Sequence, residues 1–177
     1  MVKVREARLS DAPAVGRVHV RAWQRAYRGG LMPDSYLDGL SIDERAQMWE
    51  QALARSPRPR SARLVAEDAR RGVLGFIVVG PAGGDADADE GEVYALNVEP
   101  EVWGQGAGRA LLNAGTEHLE RLGFADALLW VHPDNARACS FYEAAGWRRD
   151  GGARREEVLG IEVPEVRYRR SLARPRA

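Results

Sequence analysis

The residues best placed to do chemistry stand together in the run Trp103-Gly104-Gln105-Gly106-Ala107-Gly108-Arg109. Glycines alternate there with other residues. The run follows an apolar, β-favouring stretch, Val93 to Val98, bounded by Pro100. It precedes a helical pattern of Ala110, Leu111, Leu112, Gly115, Leu119 and Leu122, closed by Gly123. Strand, glycine turn and helix make an anion-binding device. The first helical turn carries main-chain N–H groups without intrahelical acceptors, and the helix dipole adds positive potential. Glycines remove the Cβ atoms that would hold a ligand away, and they allow positive φ. Arg109 adds a cation inside the first turn. Such a site suits a diphosphate.

Two well-known diphosphate patterns do not fit. A P-loop needs GxxxxGK followed by Ser or Thr. Five positions on from Gly104, Gly106 or Gly108 stand Arg109, Leu111 or Asn113, and no Lys follows. A dinucleotide fold needs GxGxxG. Starting at Gly104 the third glycine falls on Arg109, and starting at Gly106 it falls on Leu111.

The elements that must position this turn read as follows. Val2 to Ala7 alternates as a first strand. Ser10 or Asp11 is the expected cap of a helix with Pro13 in its first turn, running to about Tyr27 with an apolar stripe of Val15, Val18, Ala22, Trp23 and Ala26. Gly29-Gly30 stops it, and Asp34 or Ser35 caps a short helix reaching Leu40. Ser41 and Glu44 form a capping box for a helix bearing Ala46, Trp49 and Leu53. Strands follow at Arg63 to Glu67 and Val73 to Val79, joined by a turn at Gly72. Pro81 to Gly91 is an acidic surface loop. After the central unit come a buried strand, Ala127 to Val131, and a helix from Asn135 to Ala145 with Gly146 as C-cap. Short strands are expected at Trp147 to Asp150, Glu157 to Gly160 and Glu165 to Ser171. The class is α+β, or mixed α/β, with a mostly antiparallel sheet and one strand–helix–strand crossover at the glycine turn.

Composition narrows the function. The 177 residues carry a formal net charge of zero, so no basic field argues for nucleic acid. No run of about 18 apolar residues marks a membrane span. The N-terminus lacks the apolar core of a signal peptide. Cys139 is alone, and His19, His118 and His132 show no ligand spacing, so neither an internal disulfide nor a metal site is expected. These features imply a cytoplasmic protein that binds neither membrane nor nucleic acid.

After the Ala127 to Val131 strand the chain reads VHPDNARACSFYEAAGWRRDG, with Asn135, Ala138, Phe141, Tyr142, Gly146 and Trp147 at fixed offsets. With Gly106 and Gly108 at the small positions of Arg/Gln-x-x-Gly-x-Gly/Ala, this resembles the two-part signature of the GCN5-related N-acetyltransferase (GNAT) superfamily. Trp103 takes the Arg/Gln position, a departure that retains any main-chain role and loses the side-chain one. The motifs cover about residues 72 to 150, and the first strand and two helices match more loosely.

A chain of 177 residues without an internal repeat reads as a single domain over residues 1–172 with a flexible tail at 173–177. The resemblance implies a sheet of six to seven strands, splayed at a cofactor cleft and flanked by about four helices. It implies acetyl-CoA as cofactor, its pantetheine arm pairing with the main chain of Leu96 and Val98. The diphosphate would sit on the amides of Gln105, Gly106, Ala107, Gly108 and Arg109. Asn135 matches the asparagine that contacts the cofactor; it also reads as a plain N-cap. Tyr142 takes the position of the family's general acid, and a phenol with pKa near 10 can protonate a leaving thiolate; the other reading is a packed tyrosine bonded to pantetheine. Glu92, six residues before Val98, matches a general base; the other reading is a strand-edge surface carboxylate, and Glu90 and Asp89 are further candidates. Tyr27 and Leu31 line the expected acceptor site, and Tyr94 shares the Glu92 face by period two. The function so implied is direct transfer of acetyl from CoA to a primary amine, on a small molecule or a protein N-terminus. The alternative is an acyl-CoA sensor without turnover. A homodimer paired through the last strands is compatible with either.

Overall fold

The computed structural model describes residues 1–83, 89–158 and 160–172; the expected tail at 173–177, much of the acidic loop and part of the expected strand at 157–160 lie outside them. Helix α1 (Ala12–Tyr27) buries Val15, Val18 and Ala22 on one stripe. Asp11 does not cap it with its side chain. Its carboxylate is held instead by Arg5, at 2.7 and 3.0 Å, and by the Arg8 N–H at 2.7 Å, within a 3₁₀ turn over Leu9–Asp11. The helix ends where Gly29 and Gly30 take φ of +89° and +116°. Helix α2 (Asp34–Asp38) is one short turn, and α3 (Ile42–Leu53) starts with Ser41 accepting from the Glu44 N–H at 3.2 Å. Helices α1 and α3 touch at Gly16, where a Cβ would stand 2.6 Å from the Ala46 main chain. Across the same contact the Trp49 indole donates to His19 Nδ1 at 3.2 Å. Burial draws the His19 pKa down to about 3, which keeps the ring neutral and able to accept.

Among the described residues seven strands form one sheet in the order β1-β2-β3-β4-β5-β7-β6. They are β1 (Lys3–Glu6), β2 (Ala62–Asp68), β3 (Gly72–Pro81), β4 (Glu90–Val98), β5 (Asp126–Val131), β6 (Arg148–Val158) and β7 (Ile161–Ser171). Neighbours are antiparallel except β4 and β5, which are parallel because the crossover helix α4 (Ala107–Arg121) lies between them in the chain. Leu64, Ile77 and Val79 meet Leu111, Leu112 and Leu119 of α4 in one core cluster. Val65 and Phe76, pointing the other way by alternation, meet Val15 and Val18 of α1 and Trp49 of α3. Helix α5 (Ala136–Ala144) adds Cys139 and Tyr142 to the first cluster. The α+β class, the single domain and the seven-strand count agree with expectation.

Two expectations change. Arg148 to Asp150 and Glu157 to Val158, from the two expected short strands, belong to one strand, β6. It stays continuous because a bulge between Arg149 and Ala153 absorbs the glycines: Gly151 takes φ of +87°, and Gly152 lies close under Arg167. The acidic loop is shorter than 81–91, since β3 runs to Pro81 and β4 starts at Glu90. Five α-helices lie among the described residues, at the five places the sequence reading puts them, the short α2 included.

The sheet opens in its middle. β4 pairs with β5 from Glu90↔Asp126 to Val93↔Leu129 and no further, while its pairing with β3 continues to Val98↔Gly75. A bulge falls at the same place, with Val78 opposite Ala95 and Val79 opposite Val93, leaving Tyr94 as the extra residue. Bulges bend and twist a strand, and here the bend lies where β5 parts from it.

Candidate active site

Past Val93 the β5-facing edge of β4 is open. The Glu99 N–H donates to Leu74 O at 2.8 Å, on the β3 side. Strand alternation then turns the N–H and C=O of Val98 and Leu96 toward the space β5 has left. The Val98 carbonyl is taken, because Trp103 Nε1 donates to it at 2.8 Å. The Leu96 amide and carbonyl and the Val98 N–H face the opening.

The glycine turn stands at the mouth of this opening. A 3₁₀ turn over Pro100–Val102 leads into it, and Gly106 is the N-cap of α4 at φ of +92°. A Cβ at Gly104 or Gly106 would meet nothing within 4 Å. The first intrahelical bond runs from Ala110 N–H to Gly106 O at 2.9 Å. The N–H groups of Gly106, Ala107, Gly108 and Arg109 donate to no group among the described residues. They form a cradle of open donors at the positive end of a helix, which fits a diphosphate. Two details differ from expectation. The Gln105 N–H is spent on Val102 O at 3.1 Å, because the 3₁₀ turn carries one residue past its end, and the Gln105 side chain bonds Arg71 and Glu101 O. The Arg109 guanidinium turns away to Ala144 O at 3.2 Å, capping the end of α5. Gly108 is in ordinary contact range of Phe141 and Val98, so an alanine would fit there as well.

Helix α5 forms the opposite wall. Asn135 caps it, Oδ1 accepting from the Ala138 N–H at 3.1 Å. Tyr142 is 9% exposed and packs edge-on against Phe141 and Trp147. Burial, then the neighbouring Tyr27 and Cys139, push its pKa well above that of a free phenol, so it stays protonated at neutral pH. A polar chain seats this helix on the last strands: Arg149 Nε donates to the Tyr168 hydroxyl at 2.9 Å, which donates to Glu143 at 2.7 Å. Cys139 is buried and faces the His132 and Pro133 carbonyls and Arg149, as a small packed helix residue.

The other face of the sheet holds the remaining candidates. Glu92 is 9% exposed and accepts from the Gly83 N–H at 3.2 Å. Burial raises its pKa, against the pull of that N–H and of Arg154, with Glu165 and Glu156 adding to the rise. It is therefore not a surface carboxylate. Glu90 is tied to Arg169 in the zipped part of β4, and Asp89 lies in the turn before it. Tyr94 is 46% exposed, and its hydroxyl donates to Pro81 O, so the ring lies along the β3–β4 hairpin rather than in the opening. Burial, then the Glu92 charge, raises its pKa. Tyr27 packs with Trp23 in a cluster of Met32, Leu37 and Val163, which brings the end of α1 against the β6–β7 hairpin. Burial, then Glu165, push its pKa up to about 12. Leu31 is half-buried in the turn that follows.

Sequence reading missed several contacts that fix this site, none with a local signal. Glu99, buried at the end of β4, is held by Arg17 at 3.0 Å and Arg21 at 3.5 Å, tying α1 to the cradle. Trp130, the first β5 residue beyond its pairing with β4, lies under Arg154 at 4.2 Å. Among the described residues no group of His, Cys, Asp and Glu could hold a metal, and no helix is long and apolar enough to cross a membrane.

The geometry defines a class: a sheet splayed between two parallel strands, with an anion cradle at its mouth. A model of the acetyltransferase (GNAT) family matches residues 20–147. The chain is 34% identical over 166 residues to the uncharacterized N-acetyltransferase YuaI of Bacillus subtilis (strain 168), covering 94% of this chain and 91% of that one. It is 30% identical to a mycothiol acetyltransferase of Geodermatophilus obscurus, covering 81% of this chain but 56% of that protein's length. The crystal structure of PaiA N-acetyltransferase from Thermoplasma acidophilum in complex with coenzyme A shares the fold, with a TM-score of 0.72 at 21% identity over 97% of this chain and 99% of that one. The chain belongs to the acetyltransferase (GNAT) family and is an acetyl-CoA-dependent N-acetyltransferase.

Proposed function

We propose that the enzyme carries acetyl directly from acetyl-CoA to a primary amine in the gap between β4 and β5, with Tyr142 as acid and Glu92 as base. The observation that carries this reading is the coincidence of three features at one gap. They are the open main-chain edge at Leu96 and Val98, the unpaired amides of Gly106 to Arg109, and a buried phenol on the facing helix. Acetyl-CoA supplies an activated acyl group. The Leu96 main chain holds its pantetheine arm as a further strand, with the Val98 N–H at the thioester end of that arm, the cradle amides hold its diphosphate, and Asn135 caps α5 beside it.

The acceptor must arrive neutral, and an alkylamine with pKa about 10.4 must lose a proton first. Glu92 takes that proton, directly or through water; its raised pKa keeps it a better base than an exposed carboxylate. The amine nitrogen then bonds the carbonyl carbon. The Val98 N–H donates to the oxygen as charge gathers there. The carbon–sulfur bond breaks, Tyr142 donates its proton to the departing sulfur, and the second proton shed by the nitrogen as it becomes an amide restores the phenol. Tyr27 and the turn at Leu31 form the acceptor wall, with Tyr94 at its rim. Likeness to mycothiol acetyltransferases favours a small-molecule amine, with a protein N-terminus as the second acceptor class. We place the enzyme in the cytoplasm, with β6, an outer strand of the sheet, as the edge on which a second copy would pair.

A thiol-release assay over a panel of small amines, polyamines and N-terminal peptides tests the reading. Release of CoA thiol that depends on one class of amine is the expected result. CoA binding with no release on any amine would leave a sensor instead.

A further inference from the structure

Two side chains that could serve a diphosphate are missing from the cradle. Trp103 stands where the family pattern has Arg or Gln. The Arg109 guanidinium is turned to Ala144 O at 3.2 Å, with the Phe141 ring 5.7 Å away. A third side chain has come into their place. Arg137 is the second residue of α5, two beyond Asn135, and its guanidinium carbon lies 4.0 Å over the Trp103 ring. This contact crosses from the cradle turn to α5 and so spans the mouth of the opening. Trp103 is itself fixed by its N–H bond to Val98 O. Stacking uses the face of the guanidinium and leaves its edge of N–H donors free. Arg137 is exposed, and among the described residues it makes no ion pair and no hydrogen bond. Of the nearby carboxylates, Glu99 is held by Arg17 and Arg21 and Glu101 by Arg21, and Asp134, exposed three residues before Arg137, makes no ion pair with it.

We propose that Arg137 binds a phosphate of the nucleotide end of the acyl carrier, and that Trp103 is a positioning residue which seats it. The inference rests on the function proposed above. Indole and guanidinium together replace the side chain lost at position 103. The ring orders the long arginine before the ligand arrives, so less side-chain entropy is lost on binding. A charge-assisted hydrogen bond to phosphate is then made at a site already facing it.

Calorimetry with CoA and with 3′-dephospho-CoA, on the full chain and its Arg137→Gln variant, tests this. CoA should bind the variant about tenfold more weakly, with a shallower dependence of Kd on salt. If the loss persists with 3′-dephospho-CoA, the phosphate is in the diphosphate; if it vanishes, it is the 3′-phosphate. Either result supports the proposal. The KM for S-acetylpantetheine, which has no phosphate, should be the same for both proteins. Trp103→Leu should lose a similar factor for CoA, most of it absent in the Arg137→Gln background. Unchanged CoA affinity in Arg137→Gln, or an equal rise in KM for S-acetylpantetheine, would overturn the proposal alone. Failure of the unaltered protein to bind CoA would overturn the function as well.

Discussion

Strand β4 is two strands in one. From Glu90 to Val93 it is zipped on both sides, with Glu90 tied to Arg169, Gly91 lying on Leu119 and Val93 buried in the main core. From Tyr94 to Val98 it keeps β3 and loses β5. A free strand edge is a liability that most sheets cover. Here the uncovered edge lies inside the protein, between a glycine cradle and a helix carrying a buried phenol. The difference divides nine residues: the first half holds the sheet together, and the second half leaves its β5-facing hydrogen-bonding groups open, as the proposed cofactor site requires.

Changes in the two halves should therefore fail differently. Gly106→Val should do the most damage to the open half. A β-branched residue at φ of +92° is strained, and its methyl groups fill the clear space above the cradle amides. CoA affinity measured by calorimetry should fall by about a hundredfold or more. Tyr142→Phe leaves the cradle intact and removes the proton. The kcat should fall by about a hundredfold with CoA affinity unchanged; equal rates would remove Tyr142 as the acid. Glu90→Ala strikes the zipped half and strands Arg169. Urea unfolding should show a loss of about 2 kcal/mol, while CoA affinity stays within about twofold. A large loss of CoA affinity there would break the division between halves.

The smallest effect falls on Glu92, at the boundary. Its pKa is raised by burial, so the base is lost as pH falls through that raised value. Glu92→Gln should remove this acid limb and lower kcat/KM about tenfold at neutral pH; an unchanged pH–rate curve would rule out Glu92 as base. Stability follows the opposite sign. The folded state holds this proton more tightly than the unfolded chain does. Its contribution is full below the ordinary carboxylate range and is lost as pH rises through the raised value. Thermal melts should thus find Glu92→Gln no less stable than the unaltered protein at pH 7.

Features legible in the sequence were those that depend on near neighbours. Ser41 caps α3, Asn135 caps α5, and Gly106 turns into α4, each through bonds or dihedrals within a few residues. Local signals also misled. Asp11 looks like a helix cap but answers to Arg5 on β1, and Gly151-Gly152 look like a strand end but are absorbed by a bulge. At the site itself, the cradle could be named from glycine spacing, yet not that Gln105 N–H is spent on Val102 or that Arg109 faces α5.

The sequence alone determined the kinds of group present: open amides after a strand, a phenol one helix further on, and a carboxyl six residues before the strand's end. These follow from composition and short spacing, because helix starts and turns are closed by bonds between close neighbours. Only the tertiary structure decided which of them share a space. The parting of β4 from β5 after Val93, the stacking of Arg137 on Trp103 and the burial that raises Glu92 all join residues distant in the chain. Packing of whole elements fixes such contacts, and no local pattern encodes them.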